Sequence, residues 1–227
     1  MSKSLQAYMK RAKELYELRE LERLGLTPEM DQRHMILTFM ALLLKWNNAA
    51  GLVSPKDEEI LFLRHFCDSL QPLLLFGFKK NATVLDIGAG GGFPSIPICI
   101  FRPDLGFVLA ESNRKKASFL KEVKESLELH SVDIYNGSVQ RMKKPERNFD
   151  YVISRGVGGL EKVAELGKPF LAPDGRMYTF KTKQFSQELE AITTTKDKTG
   201  VRVNEIAEYD LGSLVSGFHL VSLELVR

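Results

Sequence analysis

Apolar residues follow two rhythms along this chain, and the change between them divides it. Residues 3–24 are dense in Leu, Ala, Glu, Lys and Arg, strong helix formers, so a first helix is expected there. Thr27 and Pro28 supply an N-cap and a first-turn residue for a second helix running to about Trp46. Its apolar positions are Met35, Ile36, Phe39, Leu42 and Leu43. Ser54 and Pro55 repeat the device for a third helix to about Leu70, with Asp57, Glu58 and Glu59 in the positive first turn. The first third reads as helical throughout.

From Thr83 onward short apolar runs alternate with helical periods. Strands are expected at residues 84–87, 107–110, 132–135, 149–154 and 176–181, the last entered through an Asp174-Gly175 turn. Helices are expected at 93–101, from the Asn113 cap to about 129, at 160–170 and more weakly at 185–192. Period-two alternation around 201–206 and 220–226 predicts an antiparallel pair at the sheet edge. Short crossovers of this kind imply a mostly parallel α/β sheet with helices on both faces. The chain then divides into an N-terminal helical region, residues 1–80, packed on a sheet domain, residues 81–227.

Composition narrows the class. With 227 residues, 44% hydrophobic and 27% charged, the chain suits one globular domain plus an appendage. The net charge of +3 is too small to argue for nucleic acid, but basic residues cluster at Lys115, Lys116, Lys121 and Lys124, and at Arg141, Lys143 and Lys144. Such runs serve equally as solvated helix faces or as a phosphate-tracking surface. Cys67 and Cys99 lie apart in apolar contexts, as small buried hydrophobes do, and no metal site is expected. No apolar run reaches membrane-spanning length, and the N-terminus has no signal-peptide pattern, so a cytoplasmic protein without membrane contact is expected. Nothing like a heptad seam stands out, and a monomer is expected.

The chemistry centres on residues 84–94, where an apolar strand ends in Asp86 and enters a loop with Gly88, Gly90 and Gly92. A dinucleotide loop wants a third glycine where this chain has Phe93. The pattern that fits is Asp-x-Gly-x-Gly-x-Gly, and an acid beside open backbone suits the cationic sulfonium and amino-acid tail of S-adenosylmethionine better than two phosphates. Glu111 ends the second strand, where an acid can accept both ribose hydroxyls. It could instead only cap the following helix.

These residues carry a resemblance. The segment DIGAGGGFPSIP (residues 86–97), followed by Arg102-Pro103, resembles the RsmG family, also called GidB, of small-subunit ribosomal RNA guanine-N7 methyltransferases. The likeness extends through Glu111-Ser112, through Ile153-Ser154-Arg155-Gly156, and through residues 175–181. Upstream it includes Trp46-Asn47 and the Arg-His-x-x-Asp-Ser-Leu run at 64–70, so it covers roughly residues 27–182. It implies a Rossmann-like class I S-adenosylmethionine-dependent methyltransferase fold acting on 16S ribosomal RNA or the small subunit. By position, Gly88 and Phe93 match the family's cofactor loop, Val139 and Gln140 the pair flanking adenine, and Arg155 the arginine after the fourth strand. The chain departs with Gln140 where the family usually has an acid, Ser138 where it often has arginine, and Thr182 where it often has glycine. Gln140 can still accept from the adenine amino group.

Methylation at guanine N7 needs no general base, because N7 already presents a lone pair. Positioning and charge stabilisation would carry the rate. Consistently, the fourth strand ends in Ser154-Arg155-Gly156 rather than the Asn/Asp-Pro-Pro-aromatic run of exocyclic-amine methyltransferases. Arg155 is the candidate catalytic residue; it could bind guanine O6, a phosphate or the cofactor carboxylate, or merely pair with Asp150 or Glu161. Lys181 ends the fifth strand facing RNA phosphate or solvent, and His65 and Asp68 could meet the cofactor pocket or form a helix-end hydrogen bond. Single-stranded or looped RNA is the expected substrate form, since the major groove of an A-form helix hides N7. Three other readings share these residues: a small-molecule methyltransferase, an RNA-binding module that keeps the cofactor without turnover, and an NAD-dependent oxidoreductase, which Phe93 disfavours.

Overall fold

The computed structural model describes residues 3–145, 148–182, 185–212 and 215–226, so the first two positions of the N-terminal region and the last of the sheet domain lie outside the described residues. The first predicted helix is two, α1 (Lys3–Leu15) and α2 (Leu18–Arg23). They part where Tyr16 turns inward, edge-on to Phe62 at 5.0 Å. The second, α3 (Met30–Ala50), begins later than the Thr27-Pro28 pair suggested. Glu29 caps it, in a reciprocal capping box with Gln32.

The third predicted helix is broken. Pro55–Asp57 is a 3-10 turn and Phe62–Cys67 a π-helical turn, and the regular α-helix α4 (Gln71–Leu75) begins just beyond the predicted end. In the π-turn the carbonyl oxygens of Arg64 and His65 accept from the guanidinium of Arg155, 91 and 90 residues away. Widened turns of this type recur at functional sites.

The sheet follows as β1 (Thr83–Ile87), α5 (Ser95–Phe101), β2 (Gly106–Glu111), α6 (Arg114–Ser126), β3 (Val132–Asn136), a 3-10 turn at Val139–Arg141, and β4 (Phe149–Ser154). Then come α7 (Leu160–Gly167), β5 (Leu171–Lys181), α8 (Ser186–Thr194), α9 (Lys196–Thr199), β6 (Val201–Leu211) and β7 (Val215–Leu225). The seven strands lie in the order β3-β2-β1-β4-β5-β7-β6. The first five are parallel, and β7 runs antiparallel to both β5 and β6, so the expected antiparallel pair is present. It is longer than the alternation suggested. Asp174-Gly175 belongs to β5, absorbed by a register shift against β4 between Phe149 and Tyr151.

Both faces are covered, as parallel sheets require. On one side Phe39 of α3 and Phe119 of α6 pack with Phe93, Phe107 and Ile96. Ala12, Leu15 and Leu21 join the same core, so the N-terminal helices are continuous with it. On the other side Leu160 and Val163 of α7 and Ile192 of α8 cover Leu85, Val152 and Met177.

Candidate functional site at the carboxyl edge of the sheet

Strand register decides which side chains meet. Ile87 of β1 pairs with Ala110 of β2 and with Ser154 of β4, so the next residues, Gly88, Glu111 and Arg155, lie on one rung at the carboxyl ends of the three strands. Ser154 pairs in turn with Thr179 of β5, which brings Phe180 to that level. This is the carboxyl edge beside β1, where the strand order reverses and open α/β sheets hold ligands.

The glycine loop divides into two functions. Gly88 and Gly90 have φ of +75° and +53°, and a side chain on Gly90 would meet only the Gly88 carbonyl, at 3.6 Å, leaving that backbone open to a ligand. Gly92, at φ +83°, faces inward: a Cβ there would lie 2.7 Å from Ile96 Cγ1 and 3.3 Å from Phe39. It lets the loop close onto α5 and α3, the packing duty a third dinucleotide glycine would have performed one position later. Phe93 beside it is buried against Phe39 and stacks on the His65 ring, 5.3 Å between centroids.

Glu111 accepts from the main-chain N–H of Gly90 at 2.9 Å and of Asn113 at 2.7 Å. One bond per oxygen leaves lone pairs on both for hydroxyl donors. Asn113 itself caps α6, accepting from Lys115 and Lys116, so Glu111 is free of that duty. Asp86 lies under the loop, fully buried; Oδ2 accepts from Ser95 Oγ at 2.6 Å, and Oδ1 has no partner among the described residues. Burial, aided by the charge of Glu111 and opposed by the Ser95 hydrogen bond, pushes its carboxyl up to about 7. An open backbone at Gly88 and Gly90 with the Glu111 carboxylate beside it suits a hydroxyl-bearing ligand that carries positive charge.

Arg155 is partnered by neither Asp150 nor Glu161. Asp150 sits at the other end of β4, accepting from Thr83, and Glu161 accepts from Thr195. Arg155 instead pairs with Asp68 at 3.0 Å and lies between the rings of Phe93 and Phe180, at 5.9 and 5.7 Å. Its Nη2 also donates to His65 Nδ1 at 3.0 Å, which makes that nitrogen the acceptor in the tautomer inferred from the contact. So His65 and Asp68 both reach the site, through Arg155. Burial and then the Arg155 charge push His65 down to about 4, so it is neutral at physiological pH. Its Nε2 stands 3.5 Å from Asp57 without forming a hydrogen bond. Asp68 is buried, with Oδ1 accepting from Tyr209 OH at 2.6 Å and Oδ2 shared by Arg155 and Arg64.

Lys181 departs from both expectations for it. It is buried, donating to the Gly158 carbonyl at 2.6 Å and pairing with Glu188 at 2.7 Å. Val139 is buried and Gln140 exposed in the turn after β3, beside the end of β2. Lys115, Lys121, Arg141, Lys143 and Lys144 are exposed, while Lys124 pairs with Asp133 at 3.2 Å. Three contributors escaped the sequence reading: Tyr209, Phe218 and Phe180. The first two come from the C-terminal hairpin, where Phe218 stacks on Tyr209 and lies 4.5 Å beneath the Arg64 guanidinium. Nothing in a single sequence joins a hairpin aromatic to an arginine some 150 positions earlier.

The chain matches the GidB family, described as rRNA small subunit methyltransferase G, over residues 4–213. It is 35% identical over 170 residues to the "Ribosomal RNA small subunit methyltransferase G" of Streptococcus agalactiae serotype III, covering 73% of this chain and 71% of that one. The protein of the same name from Alkaliphilus metalliredigens is 31% identical over 193 residues, 84% of this chain and 81% of that one. Among solved structures, a SAM-dependent methyltransferase from Aquifex aeolicus superposes with a TM-score of 0.56 at 16% identity, covering 80% of this chain and 97% of the other. M. jannaschii TYW2 in complex with AdoMet gives 0.51 at 18%, covering 64% and 68%. At such identities these two structures establish the fold.

Proposed function

The chain belongs to the GidB family of small-subunit rRNA methyltransferases, and from that membership we propose that it transfers a methyl group from S-adenosylmethionine to N7 of a guanosine in 16S ribosomal RNA. The observation that carries the choice of atom is the lack of a free base among the described residues beside Arg155. Both oxygens of Asp68 are committed, to Tyr209 and to the two arginines, and the Nδ1 lone pair of His65 is held by Arg155. An acceptor that must lose a proton would find neither Asp68 nor His65 free to take it. Guanine N7 loses none.

In this reading the carboxylate of Glu111 takes the ribose hydroxyls, the backbone at Gly88 and Gly90 lies against the amino-acid portion, and Val139 and Gln140 flank the adenine. Asp86 supports the loop from below through Ser95, beside Gly92 and Phe93. The cofactor supplies an electrophilic methyl group on a sulfonium. Transfer would form an N7–C bond as the C–S bond breaks with its electron pair going to sulfur, and would leave the purine with a positive charge and no proton to discharge. Arg155, held by Asp68 and by the carbonyls of the π-turn, orients the acceptor. The exposed basic residues of α6 and of residues 141–144 would meet rRNA phosphates, which requires affinity to fall steeply with salt.

We further read the protein as a cytoplasmic monomer without membrane contact, with residues 1–80 a helical region packed on the methyltransferase domain 81–227. Among the described residues no helix is long and apolar enough to cross a membrane. Mapping methylated bases of 16S rRNA from cells with and without the protein tests the function: one 7-methylguanosine should disappear with it. An unchanged pattern removes the proposal, and an Arg155→Ala variant with normal cofactor affinity and normal transfer removes the role given to that residue.

A further inference from the structure

Between the carboxyl ends of β4 and β5 and the C-terminal hairpin lies a cavity of about 180 Å³, walled by Arg64, Arg155, Gly156, Phe180, Thr182 and Phe218. We propose that this cavity seats the acceptor purine and that Arg64 reads its 6-oxo edge. The inference rests on the methyltransferase reading above and goes beyond it by naming where the base lies and what selects it.

Four observations converge. The volume is of the order that holds a single aromatic ring system. One wall is open backbone: Gly156 has φ +71°, and a Cβ there would meet nothing within 4 Å, so a planar ligand can approach the main chain directly after β4. Register places this wall next to Gly88 and Glu111 on the same rung, so a base seated here adjoins the cofactor loop. Finally, Phe180 offers an aromatic face for stacking, and Phe218 lies 4.5 Å under the Arg64 guanidinium, fixing its plane at the edge of the cavity.

Selectivity follows from the donors. Arg64 donates to Asp68 at 3.4 Å, and among the described residues its other N–H groups have no partner. A guanidinium presents five donors and no acceptor. It therefore matches the O6 acceptor of guanine and rejects adenine, whose corresponding edge carries an amino donor. Asp68, buried between Arg64 and Arg155, offsets the positive charge of that wall where the purine becomes cationic on methylation. Tyr209 keeps the Asp68 carboxylate in that position.

The test uses two full-length variants. Thr182→Trp changes an exposed residue at the rim and fills the cavity without touching the glycine loop; Arg64→Lys keeps the charge and loses the planar fork. Methyl transfer to small subunits is measured beside cofactor affinity by calorimetry and thermal melting. In parallel, 6-thioguanosine-substituted 16S rRNA transcripts are photo-crosslinked to wild type and the attached peptides identified. Thr182→Trp should lose more than ~100-fold in kcat/KM for RNA with cofactor affinity unchanged, and Arg64→Lys should lose ~5–150-fold. Crosslinks should fall at residues 180–182 or 218. Transfer by Thr182→Trp at the wild-type rate, or crosslinks confined elsewhere, overturns the seat while the methyltransferase reading stands. Crosslinks at the cavity in a wild-type protein that transfers no methyl group leave the seat and remove the reaction.

Discussion

Asp86 offers a quantitative test of how the cofactor loop is supported. Its carboxyl is wholly buried, with one oxygen bonded to Ser95 and the other without a partner among the described residues, and it is pushed up to about 7 from an ordinary value of 3.8. Because the folded state holds this proton more tightly than the unfolded state, stability falls as pH rises. The cost is absent below about pH 4, where the group is protonated in both states, grows through the interval from 4 to 7, and is complete above 7. At ~1.4 kcal/mol per unit the full cost is ~4 kcal/mol, of which ~2–3 kcal/mol accrues between pH 5 and pH 8. Asp86→Asn removes the titration and keeps the shape. Urea unfolding of wild type and variant at a series of pH values isolates the group, since every other titration cancels in the difference. The variant should gain on wild type by ~2–3 kcal/mol from pH 5 to pH 8. A stability difference that stays flat with pH refutes the burial argument, because an Asp86 ionised in both states has nothing to lose.

Asp68→Ala strips the counter-charge from two arginines and the acceptor from Tyr209. Losing one partner of a buried ion pair should cost ~3–5 kcal/mol, read as a fall in melting temperature of about 10 °C. Gly92→Ala drives a methyl to 2.7 Å from Ile96 Cγ1 at φ +83° and should cost ~2–3 kcal/mol by chemical unfolding. Gly90→Ala meets only φ strain and should cost ~1 kcal/mol, yet its methyl covers the open backbone and should weaken cofactor binding measured by calorimetry. Glu111→Ala removes the acceptor that holds Gly90 and would take the ribose hydroxyls, and should weaken the cofactor by ~100-fold; unchanged affinity would remove Glu111 from the site.

The part of this architecture written in local chemistry was legible. β4 falls at residues 149–154, as its apolar run predicted, and Asn113 caps α6 as its position before the basic helix suggested. The glycine loop announced itself because backbone freedom is a local demand. What escaped was imposed from a distance. The third helix breaks into a π-turn whose carbonyls bond Arg155, and no periodicity within residues 55–70 encodes a guanidinium about 90 positions away. Lys181 looked like a free cation because Glu188 lies one helix later and only tertiary folding brings the two together. Gly92 shared a motif with Gly88 and Gly90, and the direction its α-carbon faces, toward Ile96, is visible only in three dimensions. The alternation of the hairpin announces only an edge pair, yet Tyr209 fastens Asp68 and Phe218 backs Arg64.

The central claim is that this carboxyl edge delivers a methyl group to an atom that needs no deprotonation. It is tested most directly by incubating the purified protein with labelled S-adenosylmethionine and small subunits from cells lacking it, then digesting the rRNA to nucleosides. The account predicts the label in 7-methylguanosine alone. Label in a base methylated at an exocyclic amine or at carbon, or in a ribose 2′-hydroxyl, would contradict it, because each of those acceptors must surrender a proton that no free group among the described residues beside Arg155 can take.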